Sequence, residues 1–139
     1  MTDDKENASD VSATVLVVDD ERHTREGLKK ALQGKYNVVL AEDGSRGLEK
    51  LDRHQVDVVL ADLRMPGMDG LTFIKHATQR LNPPLVIMLT AYGNVQTAVE
   101  AMKVGAYDYL SKPVNLENLE MMVERGLESQ RLRRENDPL

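Results

Sequence analysis

Five short apolar runs, mostly β-branched, alternate along this chain with segments whose apolar residues recur at spacings of three and four. That alternation restricts the possible folds severely. The runs Thr14–Val18, Tyr36–Leu40, Val56–Ala61, Leu85–Leu89 and Ala106–Leu110 read as strands. Between and after them, helical stripes are marked by Leu28, Ala31 and Leu32; by Leu48 and Leu51; and by Leu71, Ile74 and Ala77. Val95, Ala98, Val99 and Met102 mark a fourth, and Leu116, Leu119, Met122, Val123 and Leu127 a fifth. Gly34, Gly44 and Gly105 fall at helix ends or turns, Asp69-Gly70 can start the third helix, and Pro83-Pro84 stops it. Repeated βα units require parallel strands joined by right-handed crossovers, so the expected architecture is a doubly wound α/β sheet covered on both faces. The near-continuous apolar run from Val56 to Leu63, broken only by Asp57 and Asp62, fits a strand buried on both sides.

With 139 residues the chain is long enough for one domain with a sizeable core and too short for two ordinary ones. Its formal net charge of -5 argues against broad electrostatic binding of nucleic acid or anionic membrane. No apolar run approaches the roughly 20 residues a membrane helix needs. The acidic start is unlike a secretory signal, so a cytoplasmic location is expected. The absence of cysteine excludes disulfides, thiolate zinc sites and thiol catalysis. Residues 1–12 (MTDDKENASDVS) read as a disordered lead-in. The last stretch, Glu124 to Leu139, is strongly charged and helix-permissive until Pro138. It is either a solvated helix end or a helical connector, over 129–139, toward a further domain.

Three of the strands stop on charged residues: Asp19-Asp20, Asp62 and, after a short step, Lys112. The carboxyl ends of parallel strands are where open α/β sheets place their ligand crevice. Strands one and three are neighbours in a doubly wound sheet, so these carboxylates can converge. Two unit charges 4 Å apart repel by about 4 kcal/mol at an effective dielectric of 20. A hard divalent cation relieves that repulsion, and Mg²⁺, which uses one or two carboxylates and phosphate oxygens, fits best. Thr90 and Lys112 on the same edge can hold phosphate oxygens. Each residue also has a plainer reading: Asp19-Asp20 as a helix cap, Thr90 as a strand end, Lys112 as a surface lysine, Tyr109 as a half-exposed strand residue. His23, His54 and His76 are isolated and read as surface residues; the methionines read as core filler or, at Met65 and Met68, as loop residues beside the site.

Taken in order, Asp19-Asp20, Asp62-Leu63-Arg64-Met65-Pro66-Gly67-Met68-Asp69-Gly70, Thr90, Tyr109 and Lys112-Pro113 resemble the motif set of two-component response-regulator receiver domains, across about residues 13–128. The resemblance implies a flavodoxin-like (βα)5 fold with strand order 2-1-3-4-5. It makes Asp62 the phosphoacceptor for a histidine kinase, with Lys112 and Thr90 assisting. It implies Mg²⁺ on Asp20, Asp62 and the backbone carbonyl of Arg64, with Asp19 acting through water. Thr90 and Tyr109 become the switch pair, and the domain a regulatory phosphoacceptor rather than an enzyme in its own right. The motifs are most similar to receivers of nitrogen-regulator-type, sigma-54-dependent activators. That implies an attached AAA+ effector domain and a homodimer through the face of the fourth helix, fifth strand and fifth helix together with the linker. A stand-alone receiver that binds a target or relays phosphate remains an alternative. A haloacid-dehalogenase-like phosphatase is remote, because that class needs Asp-x-Asp on its first strand and here the first strand ends in adjacent aspartates.

Overall fold

The computed structural model describes residues 12–91 and 95–136. Most of the expected lead-in, together with Tyr92, Gly93 and the chain end from Asp137, lies outside the described residues. Five parallel strands form one sheet: β1 (Thr14–Val18), β2 (Asn37–Ala41), β3 (Val58–Asp62), β4 (Leu85–Ala91) and β5 (Asp108–Lys112). They lie in the order β2-β1-β3-β4-β5, as expected. The helices are α1 (Arg22–Leu32), α2 (Gly44–Arg53), α3 (Gly70–Thr78), α4 (Val95–Lys103) and α5 (Leu116–Asn136).

Alternate side chains leave each central strand toward opposite faces, and so build two cores. Leu16, Val18, Val59, Ala61, Val86 and Met88 face α2, α3 and α4, where Phe73, Ile74 and Ala77 are fully buried. Val15, Val17, Val58, Leu60, Ile87 and Leu89 face α1 and α5, meeting Leu28, Leu32, Leu119 and Val123. All five residues of β3 are buried, as its continuous apolar run predicts.

Local chemistry starts the helices. Asp43 and Asp69 accept hydrogen bonds from the backbone N–H of Arg46 and Thr72, both at 2.8 Å, capping α2 and α3. Asn115 does the same for Asn118 at 3.0 Å in the first turn of α5.

Several strand boundaries depart from the sequence reading: β3 starts at Val58 rather than Val56, β4 runs on to Ala91, and the later starts of β2 and β5 have a local cause. Tyr36 is excluded from β2 because its N–H closes the end of α1 on the Leu32 carbonyl at 3.0 Å. Ala106 likewise donates back to Ala101 at 3.0 Å, and the β5 ladder begins only where Asp108 pairs with Ile87. The two-residue shift carries Lys112 into the last position of β5, opposite Ala91. The Lys112-Pro113 peptide is cis.

Candidate functional site

Strand register brings the charged residues to one edge. Asp62 ends β3 opposite Leu89, Thr90 follows Leu89 in β4, and Lys112 ends β5. Asp19 and Asp20 follow β1 directly. The Asp19 backbone is held on one side by its N–H to the Ala41 carbonyl of β2 at 3.1 Å. On the other, its own carbonyl accepts from Arg25 Nη1 of α1 at 2.8 Å. Sequence reasoning passes over Arg25; a basic residue one turn into a helix is too common a signal to single out.

Lys112 Nζ is the centre of the arrangement. It donates to Asp62 Oδ2 at 2.9 Å and to Asp19 Oδ2 at 3.1 Å. The remaining oxygens take backbone donors: Asp19 Oδ1 from Glu21 at 2.8 Å and Asp62 Oδ1 from Arg64 at 3.0 Å. Asp19 is wholly buried, Asp62 nearly so, while Asp20 is exposed at the mouth. Burial pushes the Asp19 carboxyl above its usual range, only partly offset by the Glu21 N–H and by Lys112. Burial alone would lower Lys112, but its hydrogen bonds to Asp62 and Asp19 outweigh this and raise it.

One ammonium does not neutralise three carboxylates. Oxygens of Asp19, Asp20 and Asp62 lie within 4.8 Å of one another. Opposite ligands of an octahedral Mg²⁺ at 2.0–2.1 Å stand ~4.2 Å apart, so this all-oxygen donor set suits a hard divalent cation. Thr90 is buried at 3% exposure on the neighbouring strand. Tyr109, in contrast, is 39% exposed on β5. Arg64 directs its backbone N–H at Asp62 and is itself exposed. His23, His54 and His76 are all exposed, as expected.

The family model of the response regulator receiver domain matches residues 15–124. This chain belongs to that family. The receiver is 44% identical over 115 residues to the transcriptional regulatory protein ZraR of Escherichia coli strain K12, covering 81% of this chain and 26% of that protein. It is 41% identical over 114 residues to the DNA-binding transcriptional regulator NtrC of the same strain, covering 81% and 24%. The receiver therefore spans about a quarter of the length of these curated relatives. Among solved structures, NtrX from Brucella abortus superposes with a TM-score of 0.83 at 32% identity, covering 90% of this chain and 29% of that one. The chemotaxis protein CheY4 of Vibrio cholerae gives 0.79 at 33%, covering 84% and 100%. It is thus a regulatory domain of two-component response regulators, related to receivers of transcription regulators. Among the described residues, no helix is long and apolar enough to cross a membrane.

Proposed function

We propose that this receiver is a cytoplasmic, phosphorylation-activated switch that accepts a phosphoryl group on Asp62 from the phosphohistidine of a partner histidine kinase. The observation that carries the reading is the Asp62 carboxylate, bound by Lys112 at 2.9 Å and by the Arg64 N–H at 3.0 Å inside a cluster of further carboxylates. An Asp62 oxygen attacks phosphorus; the new P–O bond forms as the P–N bond breaks, and the imidazole nitrogen keeps the electron pair. Lys112 neutralises charge on the transferring group and orients the carboxylate, a task of positioning and electrostatics. A Mg²⁺ ion held by Asp20, Asp62 and the Arg64 carbonyl, with Asp19 acting through water, would supply further charge neutralisation.

The buried Thr90 hydroxyl is the group that hydrogen-bonds the new phosphoryl oxygens, and the exposed Tyr109 ring is the one that turns inward in response. The face altered is that of α4, β5 and α5, where Val95, Val99, Tyr109 and Met121 are exposed. Rearrangement of a homodimer through this face and the α5 extension would then control an attached AAA+ transcription-activator output. A stand-alone receiver is the second reading, favoured by the match along the whole of CheY4. The higher identity to ZraR favours the first.

The test is incubation with phosphoramidate and Mg²⁺, followed by intact-mass measurement. Wild type should gain one hydroxylamine-labile phosphoryl group, and Asp62→Asn none. Uptake by Asp62→Asn, or none by wild type, would overturn the reading. Sedimentation with and without beryllofluoride tests the dimer separately.

A further inference from the structure

The buried stripe of α5 does not end where the apolar core ends. Leu119 and Val123 are fully buried against the sheet, and the same helix face continues through Gly126, Gln130 and Arg134. An added methyl at Gly126 would sit 3.3 Å from Leu85 Cδ1 and 3.5 Å from the Tyr107 ring, so the helix runs close against the sheet there. Beyond this point it crosses the edge opposite the carboxylate cluster, where strands begin and backbone carbonyls need donors. The stripe turns polar to match.

Gln130 is only 2% exposed, and its Nε2 donates to the Pro83 carbonyl at 2.8 Å, with the Asp57 carbonyl at 3.5 Å. Arg133 Nη2 donates to Gln130 Oε1 at 2.8 Å and so sets the orientation of that amide. Arg134 Nη1 donates to Asp57 Oδ1 at 3.0 Å, while Asp57 Oδ2 accepts the Thr14 N–H at 2.9 Å. Thr14 starts β1, Asp57 immediately precedes β3, and Pro83 lies just before β4. One helical segment therefore binds the residues leading into β3 and β4, and Asp57 links it to the start of β1. Among the described residues Arg134 Nε and Nη2 are buried with no acceptor, and Asp57 is the guanidinium's one hydrogen-bonded anchor.

We infer that Gln130 and Arg134, bound to Pro83 and Asp57, form a polar clamp that keeps the α5 extension helical and sets the direction in which the chain leaves the receiver. The physical reason is fraying: helix ends hold only where packing supports them, and among the described residues past Leu127 only Gln130 is buried and Arg134 half-buried. The intrahelical pairs of Arg131 with Glu128 and Glu135 are exposed and add little. With the clamp closed, the extension is held to the residues leading into β3 and β4 and moves with them. With the clamp open, the same residues are a flexible tether.

Amide hydrogen exchange on the full chain tests this at residues 128–132, with residues 117–126 as internal reference. In wild type the two segments should show comparable protection. Gln130→Ala/Arg134→Ala should lose at least tenfold of the protection at 128–132 while the reference segment keeps its own. Arg131→Ala, which removes only intrahelical partners, should lose less than fivefold. The inference is overturned if wild type already exchanges freely beyond residue 127. It is overturned equally if the double variant changes nothing there, or if Arg131→Ala loses as much as the double variant.

Discussion

Lys112 and Asp62 stand 50 residues apart in sequence, yet the lysine Nζ lies 2.9 Å from Asp62 Oδ2. The same ammonium holds Asp19, so two buried carboxylates at the ends of β1 and β3 depend on one cation from β5.

Lys112→Ala should therefore destabilise the metal-free protein. Breaking a buried ion pair costs roughly 3–5 kcal/mol. The Lys112 side chain keeps 27% of its exposure, so solvent screening reduces the expected loss to about 1–3 kcal/mol. Urea unfolding in EDTA measures it; a midpoint equal to or above that of wild type would contradict this account.

Asp19→Asn should do the opposite. A carboxyl whose folded-state pKa is raised binds its proton more tightly when folded, so folding stability falls as pH rises from the unfolded-state value to the folded one. The charged form is thus a burden above that window and none below it. Asp19→Asn should raise the urea midpoint at neutral pH, with the gain disappearing as pH falls toward the ordinary aspartate range. A gain independent of pH would sink the burial argument.

Added Mg²⁺ should stabilise the native state by mass action, by about 2.7 kcal/mol at a hundredfold excess over its dissociation constant. The gain should shrink sharply in Asp20→Asn and in Asp62→Asn, because each removes a carboxylate from the cluster. Melting curves across a Mg²⁺ titration decide this; equal shifts in all three proteins would place the ion elsewhere.

Asp69→Ala removes the cap of α3 and should cost about 1 kcal/mol at neutral pH. The Thr72 N–H holds the Asp69 carboxyl below its usual range. Its contribution is therefore present above the unfolded-state pKa and lost as pH falls through the lowered folded value. Wild type and variant should converge in acid; a difference persisting there would mean that packing, not the cap, is responsible.

Gly70→Ala should cost about 1–3 kcal/mol by overpacking. A methyl there would come within 2.7 Å of the Leu63 Cα and carbonyl oxygen, directly after Asp62, and backbone must move. Phosphoryl uptake should fall with it. Gly27→Ala, on the open face of α1, meets nothing within 4 Å and should gain about 0.5–1 kcal/mol. Equal thermal shifts for the two would refute the steric reading.

The fold and most of the candidate site were legible because both rest on local signals. A strand buried on both faces must be apolar throughout, so Asp62 at the end of Val58–Ala61 stands out, as do Asp19-Asp20 after Val15–Val18. What stayed hidden involves partners far apart in sequence. Periodicity began β5 at Ala106, whereas pairing with β4 starts it at Asp108. Arg25 and Asp57 look like ordinary surface charges until the Asp19 carbonyl and the Arg134 guanidinium are in place beside them.

By itself, then, the sequence determined the alternation of strands and helices, the two-faced core and the identity of the residues at the strand ends, since burial pattern and side-chain chemistry are written residue by residue. Only the tertiary structure decided which charges meet: Lys112 with Asp19 and Asp62 at one edge, and Gln130 and Arg134 with Pro83 and Asp57 at the other. Strand register and helix crossing set those distances, and they are properties of the assembled sheet rather than of any segment within it.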